Sequence, residues 1–244
     1  LVADGLLIED AEPGIFVYRL TDGNRQQTGI VACCSIDDYD AGRIKKHEKT
    51  RPDKVRDRTD HMLALRAQTG LIFLAFRNTD EMRKLIEETV ASEPIYDFPC
   101  PKCVRQTVWR VARAETVIEA FSRVPELYVA DGHHRAESAS LARRELQAAN
   151  PDHAGTEDYN YVMAGIFPAE DLAILAYNRV VKDLNGLSAE EFLARLGQNF
   201  VVTEAANRTP SEPGRFAMYL GGRWYGLKFA VEYFREPDVL DRLD

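Results

Sequence analysis

Short apolar runs and alternating stretches dominate the first third of the chain. Ile15–Leu20 is rich in β-branched and aromatic residues, and Gln27–Ile36 is a second run of the same kind. Between them, Thr21–Asn24 (TDGN) carries an Asp-Gly pair, which predicts a hairpin. Leu71–Phe76 is a continuous apolar run short enough to be a buried strand. The period then changes. Over Asn78–Val90, Met82, Leu85, Ile86 and Val90 share one helical face. Thr107–Val111 predicts a strand, and Ala114–Val124 a helix with Val117, Ile118 and Phe121 turned inward. Leu127–Ala130 predicts a buried strand that runs through Asp131-Gly132 into a long helix from His133 to Ala149.

Asn150–Tyr159 is polar, holds Pro151, Asp152 and Gly155, and predicts a loop. Tyr161–Phe167 and Leu172–Tyr177 predict two more strands. Ser188 followed by Glu191 is a capping box opening a helix over Ser188–Leu196. Phe200–Thr203, Arg215–Leu220 and Arg223–Phe229 predict strands, the last two joined by Gly221-Gly222. Hairpins mixed with strand–helix alternation imply an α+β fold, a mixed sheet with flanking helices. Residues 1–150 read as a core domain and 151–244 as a smaller β-rich C-terminal part.

Composition adds limits. The 244 residues are 45% apolar and 29% charged, which excludes a disordered, collagenous or disulfide-stapled chain. No stretch approaches the roughly 20 unbroken apolar residues of a spanning helix, so no membrane partner is expected. The four cysteines give one CxxC, Cys100 and Cys103, without the second pair or His pair that a zinc site would use. They read as reduced thiols of a cytoplasmic protein. The chain opens on Leu1 in what reads as the tail of a helix and ends in PDVLDRLD without a cap, as expected of the middle of a longer protein. The net charge of −8 argues against a nucleic-acid partner.

Dividing that charge changes the picture. Arg43–Thr59 carries eight basic and three acidic residues, so a +5 island sits in a chain whose remainder sums to −13. Such contrast marks a local anion site better than a general polyanion surface. Pro52 suits a first helical position, which places His47-Glu48-Lys49-Thr50 in the loop before a helix.

The second unusual segment is Tyr128–Ala139. A buried strand passes through Asp-Gly into a helix, the arrangement of many phosphate-binding loops. Asp131 is expected to cap that helix. His133, His134 and Arg135 then fill a first turn where cations oppose the helix dipole by about 0.3–1 kcal/mol each when charged. A bound anion would reverse the sign of that cost.

These segments together resemble a known family. HE.T followed by Asp57-Arg58, and then the strand-borne ADGHHR, are similar to the bacterial and archaeal domain of unknown function 1015 family. The matching residues are His47, Glu48, Thr50, Asp57, Arg58 and Ala130–Arg135. The resemblance implies a ParB/sulfiredoxin-like nucleotide-binding core and similarity to free serine kinases. His133 stands where sulfiredoxin-like chains carry a nucleophilic cysteine, and the helical DNA-reading domains of ParB-like chains have no counterpart here.

The expected activity is therefore nucleotide-dependent phosphoryl transfer to the hydroxyl of a small molecule, with free serine the acceptor that the resemblance suggests. ATP or ADP would be the donor, its phosphates lying on Gly132, His133, His134 and Arg135, with His47, Thr50, Arg51 and Arg58 contributing from the basic loop. Mg²⁺ would bridge the phosphates and take Asp131. Glu48 would act as general base. The alternatives are a non-catalytic nucleotide sensor, a ParB-like DNA-binding protein or nuclease, and a metal hydrolase built on His133, His134, Asp131 and Glu48.

Overall fold

The Asp-Gly turn closes the hairpin it predicts. In a computed structural model, β1 (Phe16–Asp22) and β2 (Arg25–Ser35) pair antiparallel, with Asp22 opposite Arg25. The residues described are 10–100, 104–173, 178–204, 207–210 and 214–230, with Asp4, Gly5, Ile8 and Glu212.

Ser35 ends β2 and caps α1 (Ile36–Asp40) by accepting the Asp37 N–H. β3 (Ile44–Lys45) is only two residues long. α2 (Pro52–Leu65) opens on Pro52, whose missing N–H would have had no helical partner. β4 (Ile72–Phe76) is followed by α3 (Asp80–Val90), capped by Thr79 through the Met82 N–H. Then come β5 (Tyr96–Pro99), β6 (Arg105–Arg110), α4 (Ala114–Ser122), β7 (Leu127–Asp131), α5 (His133–Ala148) and β8 (Tyr161–Pro168).

These eight strands form one mixed sheet in the order β3-β7-β4-β8-β2-β1-β6-β5. The β3–β7 and β4–β8 pairs are parallel and the others antiparallel. Ile72, Leu74 and Phe76 alternate along β4 and are fully buried, as are Ala164 opposite Ile72 and Ile30 on β2. The same core takes in Met82 and Ile86 of α3, Val117 and Ala120 of α4, and Ala136 and Ala139 of α5. Burying those alternating faces is what fixes strand register.

The chain divides into two compact units, Leu1–Leu172 and Ala173–Asp244. The division falls after β8 rather than near residue 150, because β8 is an interior strand between β4 and β2. In the second unit, α6 (Ala189–Leu196) begins with the predicted capping box. Ser188 accepts the Glu191 N–H, and Glu191 accepts the Ser188 N–H. β9 (Phe200–Glu204), β10 (Arg215–Leu220) and β11 (Arg223–Phe229) form a separate sheet in the order β10-β11-β9, held by the Phe200, Phe216 and Phe229 rings.

The structure departs from expectation at α4, where Ile118 is 60% exposed rather than turned inward, and in the strands. β3 and β5 carry too little apolar pattern to be predicted. β3 exists because Ile44 and Lys45 pair with Leu127 and Tyr128, and β5 is an exposed edge strand that ends on Pro99. In the strand expected over Leu172–Tyr177, Leu172 and Ala173 are not in a strand, and the other four residues lie outside those described. The CxxC expectation rests partly on Cys103, which also lies outside them; Cys33, Cys34 and Cys100 are free thiols. Among the described residues no helix is long and apolar enough to cross a membrane.

Candidate functional site

The two unusual segments meet because β3 and β7 are parallel neighbours. Lys45, the last residue of β3, is opposite Tyr128, so the Lys46–Arg51 loop runs on in the same direction as β7 toward the Asp131-Gly132 turn, where Glu48 and His47 meet His133. β4 runs antiparallel to β7 with Phe73 opposite Asp131, so the start of β4 lies at the same end of the sheet. Ligand sites of α/β sheets gather where strands end in this way.

Gly132 makes the turn with φ +93°, a conformation that strains any residue with a Cβ. A Cβ there would also stand 3.1 Å from Arg135 Nη2 and 3.3 Å from Ile72 Cα. The expected cap is overturned. Gly132 is the N-cap, no side chain caps α5, and Asp131 is the last residue of β7. The left-handed glycine directs the chain straight from strand to helix, and the Asp131 carboxylate reaches Arg135 one turn on at 2.7 Å instead. His133, His134 and Arg135 occupy the first turn with no acidic residue among them. The Arg135 guanidinium lies between Gly132 and Gly70, where a Cβ on Gly70 would be 3.2 Å from Nη1. Apart from the Asp131 pair, its N–H groups have no hydrogen-bond partner among the described residues.

His133 is 4% exposed. Its Nδ1 is 3.3 Å from Glu48 Oε2, its ring meets His47 edge-on at 4.3 Å, and its buried Nε2 has no hydrogen-bond partner among the described residues. Burial lowers its pKa from the ordinary histidine value, His47 adds to the lowering, and Glu48 and Asp131 oppose it. A histidine with a lowered folded-state pKa binds fewer protons folded than unfolded. Stability therefore rises with pH through that window and is lost on acidification below about 6.5. One such group contributes a slope of at most about 1.4 kcal/mol per pH unit. Urea unfolding of wild type and His133→Asn at pH 7.5 and 5.5 checks this. The wild type should lose more stability on acidification than the variant, and parallel losses would remove His133 as the cause.

Buried hydroxyls tie α2, which follows the loop, to α5. Ser138 and Thr59 are fully buried where the helices cross. Ser138 Oγ donates to the Val55 and His134 carbonyls, and Thr59 Oγ1 to those of Val55 and Ser138. The Arg51 N–H donates to His134 Nε2 at 3.2 Å, so that nitrogen is an acceptor here. Three residues were not singled out from sequence. Glu137 accepts from Tyr39 Oη at 2.8 Å and Lys46 Nζ at 3.1 Å, while Lys46 Nζ lies 3.9 Å from the Tyr39 ring centre. The signal was present in the spacing, since Glu137 is one helical turn from His133.

The basic island is less bare than its charge suggests. Arg43, Lys45, Lys46, Arg51 and Arg56 all pair with carboxylates. Arg51 is bidentate to Asp53 and stands at the start of α2 beside His134. Arg58 is not brought to the α5 terminus. It lies further along α2, and its hydrogen bond goes to the Lys54 carbonyl of its own helix. His47, Glu48 and Thr50 lie in the loop as expected, with Thr50 half-buried.

Among the described residues no group of three or more His, Cys, Asp or Glu side chains is arranged to hold a metal ion. His133, His134, Asp131 and Glu48 thus do not converge as a ligand set. Magnesium bound with a nucleotide asks less of the protein, one or two carboxylates beside phosphate oxygens. Asp131 fits that need, being largely exposed and tied through only one oxygen.

The family model described as "Protein of unknown function (DUF1015)" matches residues 1–244. The chain belongs to that family. The match agrees with the resemblance read from HE.T and ADGHHR, and it spans both compact units of this DUF1015 chain. No curated protein matches the chain, and no solved structure does.

Proposed function

We propose that this DUF1015 chain is a nucleotide-dependent phosphotransferase acting on the hydroxyl of a small molecule, with free serine as one candidate acceptor, on a ParB/sulfiredoxin-like core. The observation that carries the reading is the juxtaposition of two loops. A helix N-terminus whose first turn holds His133, His134 and Arg135 and no acidic residue faces a carboxylate, Glu48, supplied by the loop that follows the neighbouring parallel strand.

The phosphates of ATP or ADP would lie on the α5 terminus. Backbone N–H groups and the helix dipole favour an anion there, and Arg135 has unpartnered N–H groups to offer. The ligand's charge would favour protonation of His133 Nε2, giving that orphaned atom a donor role. Mg²⁺ supplies charge neutralisation when bound, with Asp131 as its protein ligand. In the transfer step, the acceptor oxygen forms a bond to the terminal phosphorus and its proton passes to Glu48. The bond from that phosphorus to the bridging oxygen breaks, and the electron pair leaves with the departing nucleotide. Such chemistry depends mainly on positioning and charge.

The test is calorimetry of the purified chain with ATP, ADP and inorganic triphosphate in Mg²⁺, followed by phosphorus NMR with a panel of hydroxyl amino acids. Binding with a new phosphomonoester signal supports the reading. Binding without transfer to any acceptor would favour the sensor, and no binding would overturn the phosphate site.

A further inference from the structure

A cavity of about 510 Å³ opens beside the candidate site, within the first unit. Its walls include Cys33, Met62, Ala139, Ala142, Tyr161 and Met163. That volume is in the range of small-molecule sites, roughly 300–1,000 Å³, and apolar and aromatic side chains beside Arg66, Gln68, Arg143 and Asp158 suit a planar organic group with polar edges. One wall is fixed in advance. The Gln68 amide donates to the Tyr161 carbonyl at 2.7 Å and accepts the Met163 N–H at 2.9 Å, tying the chain before β4 to the start of β8.

The cavity continues the phosphate site in a definite direction. Ala139 is one turn beyond Arg135 on α5, and Gln68 is two residues before Gly70, which borders the Arg135 guanidinium. Across the sheet the order runs from β3, whose loop carries Glu48, through β7 with Asp131 and Gly132, then β4, to β8 and β2, which supply Tyr161, Met163 and Cys33. At about 4.8 Å per strand, the step from β3 to β8 is roughly 14 Å. Along α5, Ala139 and Ala142 are about 9–14 Å beyond His133 at about 1.5 Å per residue. A nucleoside triphosphate laid out with its terminal phosphate at Glu48 spans this kind of distance.

From this order we infer that the cavity takes the nucleoside end of the donor nucleotide, the base lying against Tyr161 and Met163, while the acceptor approaches from the β3 edge. The inference rests on the phosphotransferase reading and adds a polarity to it. Glu48 meets the terminal phosphate, Arg135 the inner phosphates, and the cavity holds base and sugar. The chemical class expected is a purine or pyrimidine nucleotide rather than a free polyphosphate.

Cys33 is an exposed thiol in the cavity wall, whereas Cys100 follows the edge strand β5 on the far side of the sheet. Labelling of the full chain with N-ethylmaleimide, read at each cysteine by peptide mass spectrometry, therefore reports occupancy with an internal control. ATP with Mg²⁺ should slow modification of Cys33 at least tenfold and leave Cys100 unchanged, while inorganic triphosphate should slow Cys33 less than twofold. Cys33→Trp should weaken ATP at least tenfold and inorganic triphosphate less than twofold. Retained triphosphate affinity shows that the tryptophan variant is folded. If ATP binds but Cys33 labels at its unliganded rate and Cys33→Trp binds ATP normally, the nucleoside lies elsewhere and the phosphate site stands. If neither ATP nor triphosphate binds wild type, the phosphate site falls and this inference with it.

Discussion

Glu48→Gln lowers turnover by about 10²–10⁴-fold and leaves the nucleotide dissociation constant within about twofold, because proton acceptance is confined to the transfer step. The substitution keeps shape and removes only basicity. Glu48 is more than half exposed, so the glutamine has water to bond to and the fold should tolerate it. A second readout separates proton acceptance from positioning. Glu48 raises the pKa of His133, so the variant should shift the His133 imidazole titration further down, visible by proton NMR. Quench-flow and calorimetry on the same preparation make the decisive comparison. Equal losses in turnover and affinity would assign Glu48 to holding the loop instead.

Arg135→Ala weakens nucleotide binding roughly 10- to 150-fold, corresponding to about 1.5–3 kcal/mol for a charged hydrogen bond. Part of that loss could arise indirectly, since Asp131 would be left without its 2.7 Å partner and would present a bare carboxylate to the phosphates. Asp131→Asn and the double variant, compared without Mg²⁺ because Asp131 is also the proposed magnesium ligand, resolve the two contributions. If Arg135 acts on the ligand, the double variant stays weak. If it acts only by neutralising Asp131, the double variant recovers wild-type affinity. Unchanged calorimetric affinity in Arg135→Ala would remove the guanidinium from the site. Arg135→Lys should recover only part of the binding, because an ammonium lacks the planar fork.

Local chemistry made several elements legible. The Asp22-Gly23 hairpin, the Ser188 capping box and the passage from β7 through Gly132 into α5 each follow from a few adjacent residues. The meeting of the two site segments was legible only as a resemblance, since nothing in Arg43–Thr59 says that Ile44 pairs with Leu127. The partner of Asp131 was misread for a related reason. A capping aspartate and an i, i+4 partner of arginine look alike in sequence, and the φ of the intervening glycine separates them. Tyr39 and Glu137, 98 residues apart, come together only once α1 packs on α5. The pairing of five basic-island cations with carboxylates is tertiary too, and it explains why formal charge overstated the local field.

The shortness of β3 has a consequence for how the site is assembled. The turn carrying Gly132 is fixed at its root by an interior strand and by the buried crossing of α2 and α5. The loop carrying Glu48 leaves two residues of ladder at the outermost position of the sheet and is tied at its other end by the Arg51 N–H bond to His134. One half of the site is thus foundation and the other is scaffolding. β3 contributes only Ile44 to the buried core, so the position of Glu48 depends on the contacts of its own loop more than on the sheet. Lys46 just after β3 pairs with Glu137 of α5, and that ion pair, with the Arg51 bond to His134, couples the one half to the other.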